Sequence, residues 1–178
     1  MSERVLELGC GRNKRPGAFG VDLLADSDAD LVHELDVFPW PLGDSEWDRI
    51  LCFDVLEHVQ HFVRCVEEIW RIGRPGAVVE VSGPFMSSVN YYSDPTHRRA
   101  FTSRTFDYFI EGRPFFRYGY SHARFRMRSC AYDRDQTGRR GLRRLWLALK
   151  NRHQAIYEQR LAFVFPVQTV FFELEVVK

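Results

Sequence analysis

The chain has few cysteines and no long apolar run. Its 178 residues include four cysteines, which form no Cys-x-x-Cys pair and no spacing typical of a metal site. This pattern predicts reduced, mostly buried thiols and no metal centre. The most apolar window, Ala162–Val177, is interrupted by a proline, a glutamine and two glutamates, so it is too polar to span a bilayer. A strand is predicted within four residues of Met1, which leaves no room for a signal peptide, and we expect a cytoplasmic protein.

Acidic and basic residues are unevenly distributed, although the formal net charge is only +1. Residues 1–97 carry 8 Lys and Arg against 17 Asp and Glu, whereas residues 98–160 carry 16 against 5. The basic stretch favours an anionic partner such as phosphate, nucleic acid or a membrane surface. A solvated surface rich in arginine would give the same composition.

Short apolar runs in the first half are typical of buried parallel strands. The four strong runs and a weaker fifth are Arg4–Leu8, Phe19–Leu23, Trp47–Phe53, Ala77–Ser82 and Ala29–Leu35. Between Trp47–Phe53 and Ala77–Ser82, apolar residues from Val59 to Trp70 recur at the spacing of one helix face, and Gly73 ends this helix. A strand, a helix and a strand in this order predict a βαβ unit and an α/β fold.

The second half gives weaker signals. Ser103 could cap a short helix through Ile110, and Arg124–Cys130 alternates like a strand that carries its arginines on one face. Residues 133–141 are polar and predict a loop, and Leu142 to about Arg160 predicts one amphipathic helix. The last segment, Thr169–Lys178, is predicted to be a strand that closes the sheet.

Glycines and acids follow the predicted strands of the first half. Gly9-x-Gly11 alone is a weak nucleotide-binding signal, because position 14 is a lysine where the dinucleotide fingerprint has its third glycine. Asp22, Asp36 and the run Phe53–His58 end the next three strands. Since the carboxyl ends of parallel strands meet at one edge of a sheet, we expect a single acidic cleft there.

The runs Leu-Glu-Leu-Gly-Cys-Gly, Asp-Val-Leu-Glu-His and Arg-Pro-Gly before a strand resemble the class I S-adenosylmethionine-dependent methyltransferases, in particular the small, type 11-like members. The resemblance covers about residues 4–110. It implies an α/β, Rossmann-like, mostly parallel, three-layer fold. Only Arg12–Ala18 separates Gly11 from Phe19, so the first crossover helix of that family is predicted to be shortened or missing.

The resemblance also implies S-adenosylmethionine as the cofactor and a set of residues that bind it. These residues are Glu7, Gly9, Gly11, Asp22, Asp36, Val37, Phe53, Asp54, Val55 and His58. The glycine loop would lie beneath the methionine part, Asp22 would accept the ribose hydroxyls, and Asp36 with Val37 would flank the adenine. The stretch Asn13–Arg15 would lie near the carboxylate of the cofactor.

Candidate residues for chemistry on an acceptor lie after the fifth strand. His97 is the candidate general base or substrate ligand, oriented by Asp94, although a loop histidine bonded to backbone would look the same in sequence. Two tyrosines could wall a substrate pocket and two arginines could bind a phosphate or carboxylate. These four are Tyr91, Tyr92, Arg98 and Arg99.

We therefore predict a methyltransferase that acts on a small-molecule or glycan-like acceptor, by O-methylation. Shorter family members of sugar and polysaccharide modification resemble this chain in Asn-Lys-x-Pro-Gly, Asp-Pro-Thr-His and Phe-Thr. The alternatives are an RNA methyltransferase, suggested by the basic stretch and its aromatics, and a binding protein that lacks catalysis. A nicotinamide-dependent enzyme is disfavoured by the missing third glycine.

One domain is predicted over residues 1–178. Within it, residues 1–84 form the cofactor-binding half, 85–160 the substrate-side insertions and 161–178 the closing strand. No transmembrane segment is predicted, but residues 142–160 could contact a membrane peripherally, or pack on the sheet as a lid.

Overall fold

The computed structural model describes residues 3–133 and 142–178, and a seven-stranded sheet of order β3-β2-β1-β4-β5-β7-β6 forms its centre. The strands are β1 Val5–Leu8, β2 Phe19–Asp22, β3 Leu31–Val32, β4 Trp47–Phe53, β5 Gly73–Pro84, β6 Phe125–Tyr132 and β7 Thr169–Val176. Strands β1 to β5 pair in parallel, and β7 runs antiparallel to both of its neighbours. The predicted Rossmann-like, mostly parallel α/β fold is confirmed.

Four α-helices accompany the sheet in the described part of the chain. They are α1 Phe62–Ile72, α2 Val89–Ser93, α3 Leu142–Arg152 and α4 Gln154–Arg160. Only α1 connects two adjacent parallel strands, β4 and β5. None of these helices, nor any other among the described residues, has the length and hydropathy needed to cross a bilayer.

The connection from β1 to β2 contains no helix, as predicted. Gly9 and Gly11 both have left-handed backbone conformations, with φ of 68° and 55°, which a residue without a Cβ adopts at little cost. The Glu7 carboxylate accepts a hydrogen bond from the backbone N–H of Arg15 at 2.6 Å. The side chain of a β1 residue therefore holds the short loop where the family places a helix.

Side chains alternate between the two faces of the sheet, as the pleat requires. One face is apolar, and the buried side chains of α1 and α4 join its cluster, which includes Leu6, Ile50, Val79 and Phe172. The opposite face carries ion pairs such as Arg49 with Glu80 and Arg128 with Glu175. The core therefore lies between the sheet and the helices.

Several predicted boundaries were wrong. The weak strand predicted at Ala29–Leu35 forms only at Leu31–Val32, so Asp36 lies four residues beyond β3 and not at its end. Strand β5 begins at Gly73 instead of Ala77, because pairing of Gly73 with Trp47 extends it through the expected turn. The helix from Ser103 does not form; a 3₁₀ turn occupies only Asp107–Phe109. The hydroxyls of Thr102 and Thr105 accept backbone N–H groups there and compete with helical bonding.

The C-terminal helix and the arginine strand also differ from expectation. Residues 142–160 form two helices that are separated at His153, where φ is −122°. Arg124 precedes β6, but a bulge at residue 128 lets Arg126 and Arg128 both reach Glu175. The predicted loop at residues 133–141 lies outside the described residues, apart from Asp133.

Candidate functional site

A cavity of about 230 Å³ opens at the carboxyl ends of β1, β2 and β4. Its lining residues are Gly9, Asp22, Leu23, His33, Glu34, Leu35, Asp36, Val55, His58, Val59 and Arg98. Five predicted cofactor residues are therefore brought together, namely Gly9, Asp22, Asp36, Val55 and His58. We refer to this space as the strand-end cavity.

A second cavity has a volume of about 520 Å³. It is lined by Arg15, Phe53, Asp54, Glu80, Ser82, Thr169 and Phe171. Asp54, which lines this cavity, and Val55, which lines the strand-end cavity, are consecutive in the chain. Glu7, Gly11 and Val37 line neither cavity, and the Val37 side chain is 53% exposed.

Asp22 ties together the two loops that border the strand-end cavity. Its Oδ2 accepts the Gly11 N–H at 2.8 Å and its Oδ1 accepts the Leu24 N–H at 2.9 Å. Each carboxylate oxygen can accept more than one hydrogen bond, so capacity remains for hydroxyl groups of a ligand. Asp22 can thus shape the cavity and bind a ligand at once.

The cavity floor is tightly built around Gly9 and strand β4. A Cβ on Gly9 would lie 2.5 Å from Cγ2 of Val55, so no larger residue fits without displacing Val55, two residues after β4. Asp54, immediately after β4, has a left-handed φ of 49°, which is uncommon outside glycine. Strained backbone of this kind clusters at ligand sites.

Asp36 has a structural role in addition to its place in the cavity lining. Its two oxygens accept the N–H groups of Gln60 and His61 at 2.7 and 2.8 Å. These groups lie at the amino end of α1, where a negative charge also interacts favourably with the helix dipole. Asp36 therefore fixes the position of α1 relative to β3.

The glycine loop places Arg15 beside the second cavity. Its backbone N–H is held by Glu7, and its guanidinium lies over the Phe53 ring at 5.6 Å from the centroid. Neighbouring Lys14 is engaged differently, because its ammonium bonds to Asp30 at 2.6 Å. Of the predicted Asn13–Arg15 stretch, Arg15 is therefore the member that lines a cavity.

Glu57, His58 and His97 form a cluster whose ligand-type atoms all lie within 4.8 Å of one another. His97 Nδ1 donates to the Tyr91 carbonyl at 3.2 Å, and its Nε2 faces the Glu57 carboxylate at 3.9 Å. The Thr96 hydroxyl donates to Asp94, so His58 Nδ1 must be the donor in its 2.8 Å bond to Thr96. Both neutral histidines therefore keep an Nε2 lone pair that can accept a proton.

This geometry changes the predicted partner of Asp94. Asp94 Oδ2 is 4.0 Å from His97 Nε2, which is beyond hydrogen-bond distance. Its other oxygen acts through Thr96 on His58 instead. Of the two histidines, His58 lines the strand-end cavity, whereas the His97 side chain is only 9% exposed.

Glu57 is buried beneath the cluster with an unusual electrostatic environment. The residue is 1% exposed and its Oε2 has no hydrogen-bond partner. Burial, together with the nearby charges of Asp54 and Asp94, raises the pKa of Glu57 to about 7. Burial and the proximity of His97 lower the pKa of His58, which favours its neutral form at neutral pH.

The cluster could hold either a proton or a divalent metal ion, since two imidazoles and a carboxylate suit both. Two guanidinium groups lie next to it. Arg98 Nε donates to the His58 carbonyl, and Arg99 is near enough to Glu57 to affect its pKa. Since Asp54 and Asp94 are also near, charges of both signs surround the cluster. The Nε2 lone pairs of the two histidines suit the arrangement to proton transfer.

The predicted substrate residues have different surroundings. Tyr91 stacks on His97 with ring centroids 6.1 Å apart, and Tyr92 is 70% exposed. Arg98 lines the strand-end cavity. Arg99 donates to the carbonyls of residues 56, 59 and 60, so its guanidinium is used to fix the segment before α1.

Sequence reasoning did not assign a role to Glu57, Thr96 or the cavity-lining residues Leu23, His33 and Glu34. Glu57 lies within the quoted Asp-Val-Leu-Glu-His run, but its burial depends on Phe101 and Gly83, which are remote in sequence. Thr96 belongs to the Asp-Pro-Thr-His run, and an Asx-type turn with Asp94 was its detectable signal.

Comparisons with known proteins are consistent with this site. The family described as "Methyltransferase domain" matches residues 18–81, which include Asp22, Asp36 and the run to His58. A probable S-adenosylmethionine-dependent methyltransferase of Mycolicibacterium smegmatis is 32% identical over 101 residues, which cover 45% of this chain and 37% of that protein. The match therefore spans little more than a third of that relative.

Solved structures share the fold. A SAM-dependent methyltransferase from Archaeoglobus fulgidus has a TM-score of 0.59 at 17% identity, over 97% of this chain and 86% of that one. Phosphoethanolamine N-methyltransferase 2 of Haemonchus contortus, in complex with S-adenosyl-L-methionine, has a TM-score of 0.57 at 12% identity, over 100% of this chain and 49% of that one.

Proposed function

We propose that this chain is a class I S-adenosylmethionine-dependent methyltransferase that binds S-adenosylmethionine at the carboxyl ends of its strands and methylates a small-molecule or glycan-like acceptor. The observation that carries the proposal is Asp22, at the end of β2 and in one cavity with Gly9 and Val55. The family match to residues 18–81 includes this acid.

The residues present fit such a cofactor. Asp22 has hydrogen-bonding capacity for ribose hydroxyls, and Leu23 and Val55 offer apolar walls to an adenine ring. The acidic lining of Asp22, Glu34 and Asp36 suits a ligand that carries positive charge. At the second cavity, Arg15 would pair with the carboxylate of the methionine part.

S-adenosylmethionine supplies a methyl group on a sulfonium, already activated for in-line displacement. The remaining tasks of the protein are to hold the acceptor in line and to remove its proton. His58 Nε2 would accept that proton at the cavity, and His97 with the buried Glu57 would complete the network behind it. In the ionised form, the Glu57 carboxylate stabilises an imidazolium within this cluster.

The acceptor is proposed to be an uncharged or anionic small molecule or glycan rather than RNA. Many arginines of the basic stretch are engaged within the chain: Arg104 and Arg113 with Asp107, and Arg126 and Arg128 with Glu175. Arg98, at the strand-end cavity, would bind an acidic group of the acceptor. RNA as the acceptor would instead predict binding that falls steeply with salt.

Calorimetry with S-adenosylmethionine tests the cofactor proposal. We expect micromolar binding by the wild type and a loss of about tenfold to a hundredfold for Asp22→Ala. Asp26→Ala is the matched control, because Asp26 lies just after β2 and pairs with Arg12 but lines neither cavity. Absence of binding by a folded wild type, or an equal effect of the two substitutions, would refute the proposal.

Turnover separates catalysis from mere binding. Formation of S-adenosylhomocysteine, followed across a panel of sugars, phenols and nucleosides, should depend on one acceptor class. With that acceptor, His97→Ala should lower kcat while the affinity for S-adenosylmethionine stays within about threefold. His58→Ala should also lower kcat, and its effect on cofactor affinity is measured separately because His58 lines the strand-end cavity. Unchanged kcat in both variants would show that the cluster is structural.

A further inference from the structure

Apolar side chains are concentrated on the outer surface of α3, α4 and the segment after α4. An apolar groove of about 280 Å³ is lined by Trp146, Leu149, Lys150, His153, Ile156, Tyr157 and Leu161. Phe165 stacks on Trp146 with ring centroids 5.5 Å apart, and Phe163 beside it is 71% exposed. We refer to these residues as the α3–α4 groove.

Large contiguous apolar patches are rarely exposed on a monomeric protein unless they bind a ligand, a membrane or another protein. Trp146, Leu149 and Ile156 are 48%, 43% and 57% exposed, although each could pack in a core. The residues between Asp133 and Leu142 contain no apolar side chain that could cover them. The described residues therefore leave these apolar side chains exposed.

The charge around the groove is positive. Lys150, Arg152 and Arg160 are its basic neighbours in α3 and α4, whereas the one acidic residue there, Glu158, is turned inward. Glu158 accepts hydrogen bonds from Tyr132 Oη at 2.8 Å and from the Ser103 N–H at 2.6 Å.

Exposed leucine, tryptophan and phenylalanine beside lysine and arginine are the features of a surface that lies in the headgroup region of an anionic membrane. The groove also lies at the cavity edge of the sheet, because Tyr157 stacks on Phe85, which follows β5. We propose that the α3–α4 groove and its basic residues dock the protein on the surface of an anionic lipid bilayer.

Vesicle flotation tests this docking with the whole chain. Vesicles of phosphatidylcholine with 30% phosphatidylglycerol should bind the protein about tenfold or more tightly than vesicles of phosphatidylcholine alone, and salt should weaken the binding. The double variant Leu149→Ser with Phe163→Ser should reduce binding to anionic vesicles by at least about tenfold. Arg152→Glu with Arg160→Glu should do the same.

Two exposed positions elsewhere serve as matched controls: Val89→Ser, at a side chain that is 65% exposed on α2, and Arg117→Glu. Neither should change vesicle binding. Brominated lipids should quench Trp146, because Trp40 and Trp47 are buried and the half-buried Trp70 belongs to α1 and not to the groove. Trp146→Phe should therefore remove most of that quenching.

The negative outcomes are equally clear. Failure of the folded wild type to bind anionic vesicles would overturn the proposal, as would equal binding to neutral and anionic vesicles. A dimer in solution that becomes monomeric in the Leu149→Ser, Phe163→Ser variant would also overturn it, since the groove would then be an interface between two copies. Because none of these measurements uses S-adenosylmethionine, their result is independent of the proposed enzyme activity.

Discussion

Replacing Glu57 with glutamine is expected to make the protein more stable at alkaline pH. Burial raises the pKa of Glu57 from 4.5 to about 7, so the folded state retains a proton that the unfolded state has lost. Between those two values, stability falls as pH rises, and it reaches its low plateau once the folded protein is also ionised. A difference of this size corresponds to about 3 kcal/mol above pH 7.

Glutamine is nearly isosteric with glutamate and carries no charge at any pH. Its amide can donate to the Nε2 lone pair of His97, which faces Glu57. We therefore expect Glu57→Gln and wild type to have similar free energies of unfolding near pH 4.5. Near pH 8, the variant should be more stable by up to about 3 kcal/mol.

Urea denaturation at pH 5, 6, 7 and 8, followed by circular dichroism, measures this difference directly. Because both proteins share every other titrating group, the difference isolates position 57. Glu111→Gln, at an exposed carboxylate, is the control for removing one negative charge from the protein surface. A Glu57→Gln difference that does not grow with pH would refute the argument that a buried, unpartnered carboxylate underlies the site.

Three further substitutions test how the cavities are built. Gly9→Ala should lower the thermal unfolding midpoint more than Gly11→Ala does. Both residues have positive φ, but only a Cβ at position 9 would clash with Val55. Equal losses would contradict the tight packing of that loop. Asp36→Ala should cost about 1–2 kcal/mol in urea denaturation, because two N–H groups at the start of α1 lose their acceptor. Arg15→Ala should weaken binding of S-adenosylmethionine by about tenfold in calorimetry but leave binding of 5′-methylthioadenosine unchanged, since the latter lacks the carboxylate. An equal loss for both ligands would show that Arg15 does not bind the carboxylate.

The parts of the fold that follow from local pattern were predictable. Apolar runs gave β1, β2 and β4 to within about a residue, and helical spacing gave α1, because one buried face imposes a period on each. The extension of β5 to Gly73 depends on Trp47, 26 residues away, and no local signal encodes that pairing. The break at His153 also depends on tertiary contacts. Asn151 of α3 accepts a hydrogen bond from the Tyr132 N–H, and Gln154 of α4 donates one to the Cys130 carbonyl, so both helices are bonded to β6.

The candidate site was predictable as a set of strand ends but not as a network. Strand order brings Asp22, Asp36 and His58 to one cavity, so their positions in sequence sufficed. The roles of Asp36 and Arg99 as hydrogen-bonding partners of the segment before α1 depend on side-chain directions. The raised pKa of Glu57 also depends on the three-dimensional structure, because it arises mainly from burial of the side chain.

The helix-free connection between β1 and β2 has a consequence for local unfolding. Segments held by few buried contacts open at a lower free energy than the rest of a domain. Strands β1, β2 and β3 are four, four and two residues long, and loops join them in series. Amide hydrogens of this half should exchange with solvent faster than those of β5 and β7, and a ligand that bridges Gly9 and Asp22 would slow them selectively. In this chain, a ligand bound in the strand-end cavity would help to stabilise β1 and β2, which in related folds are joined by a crossover helix.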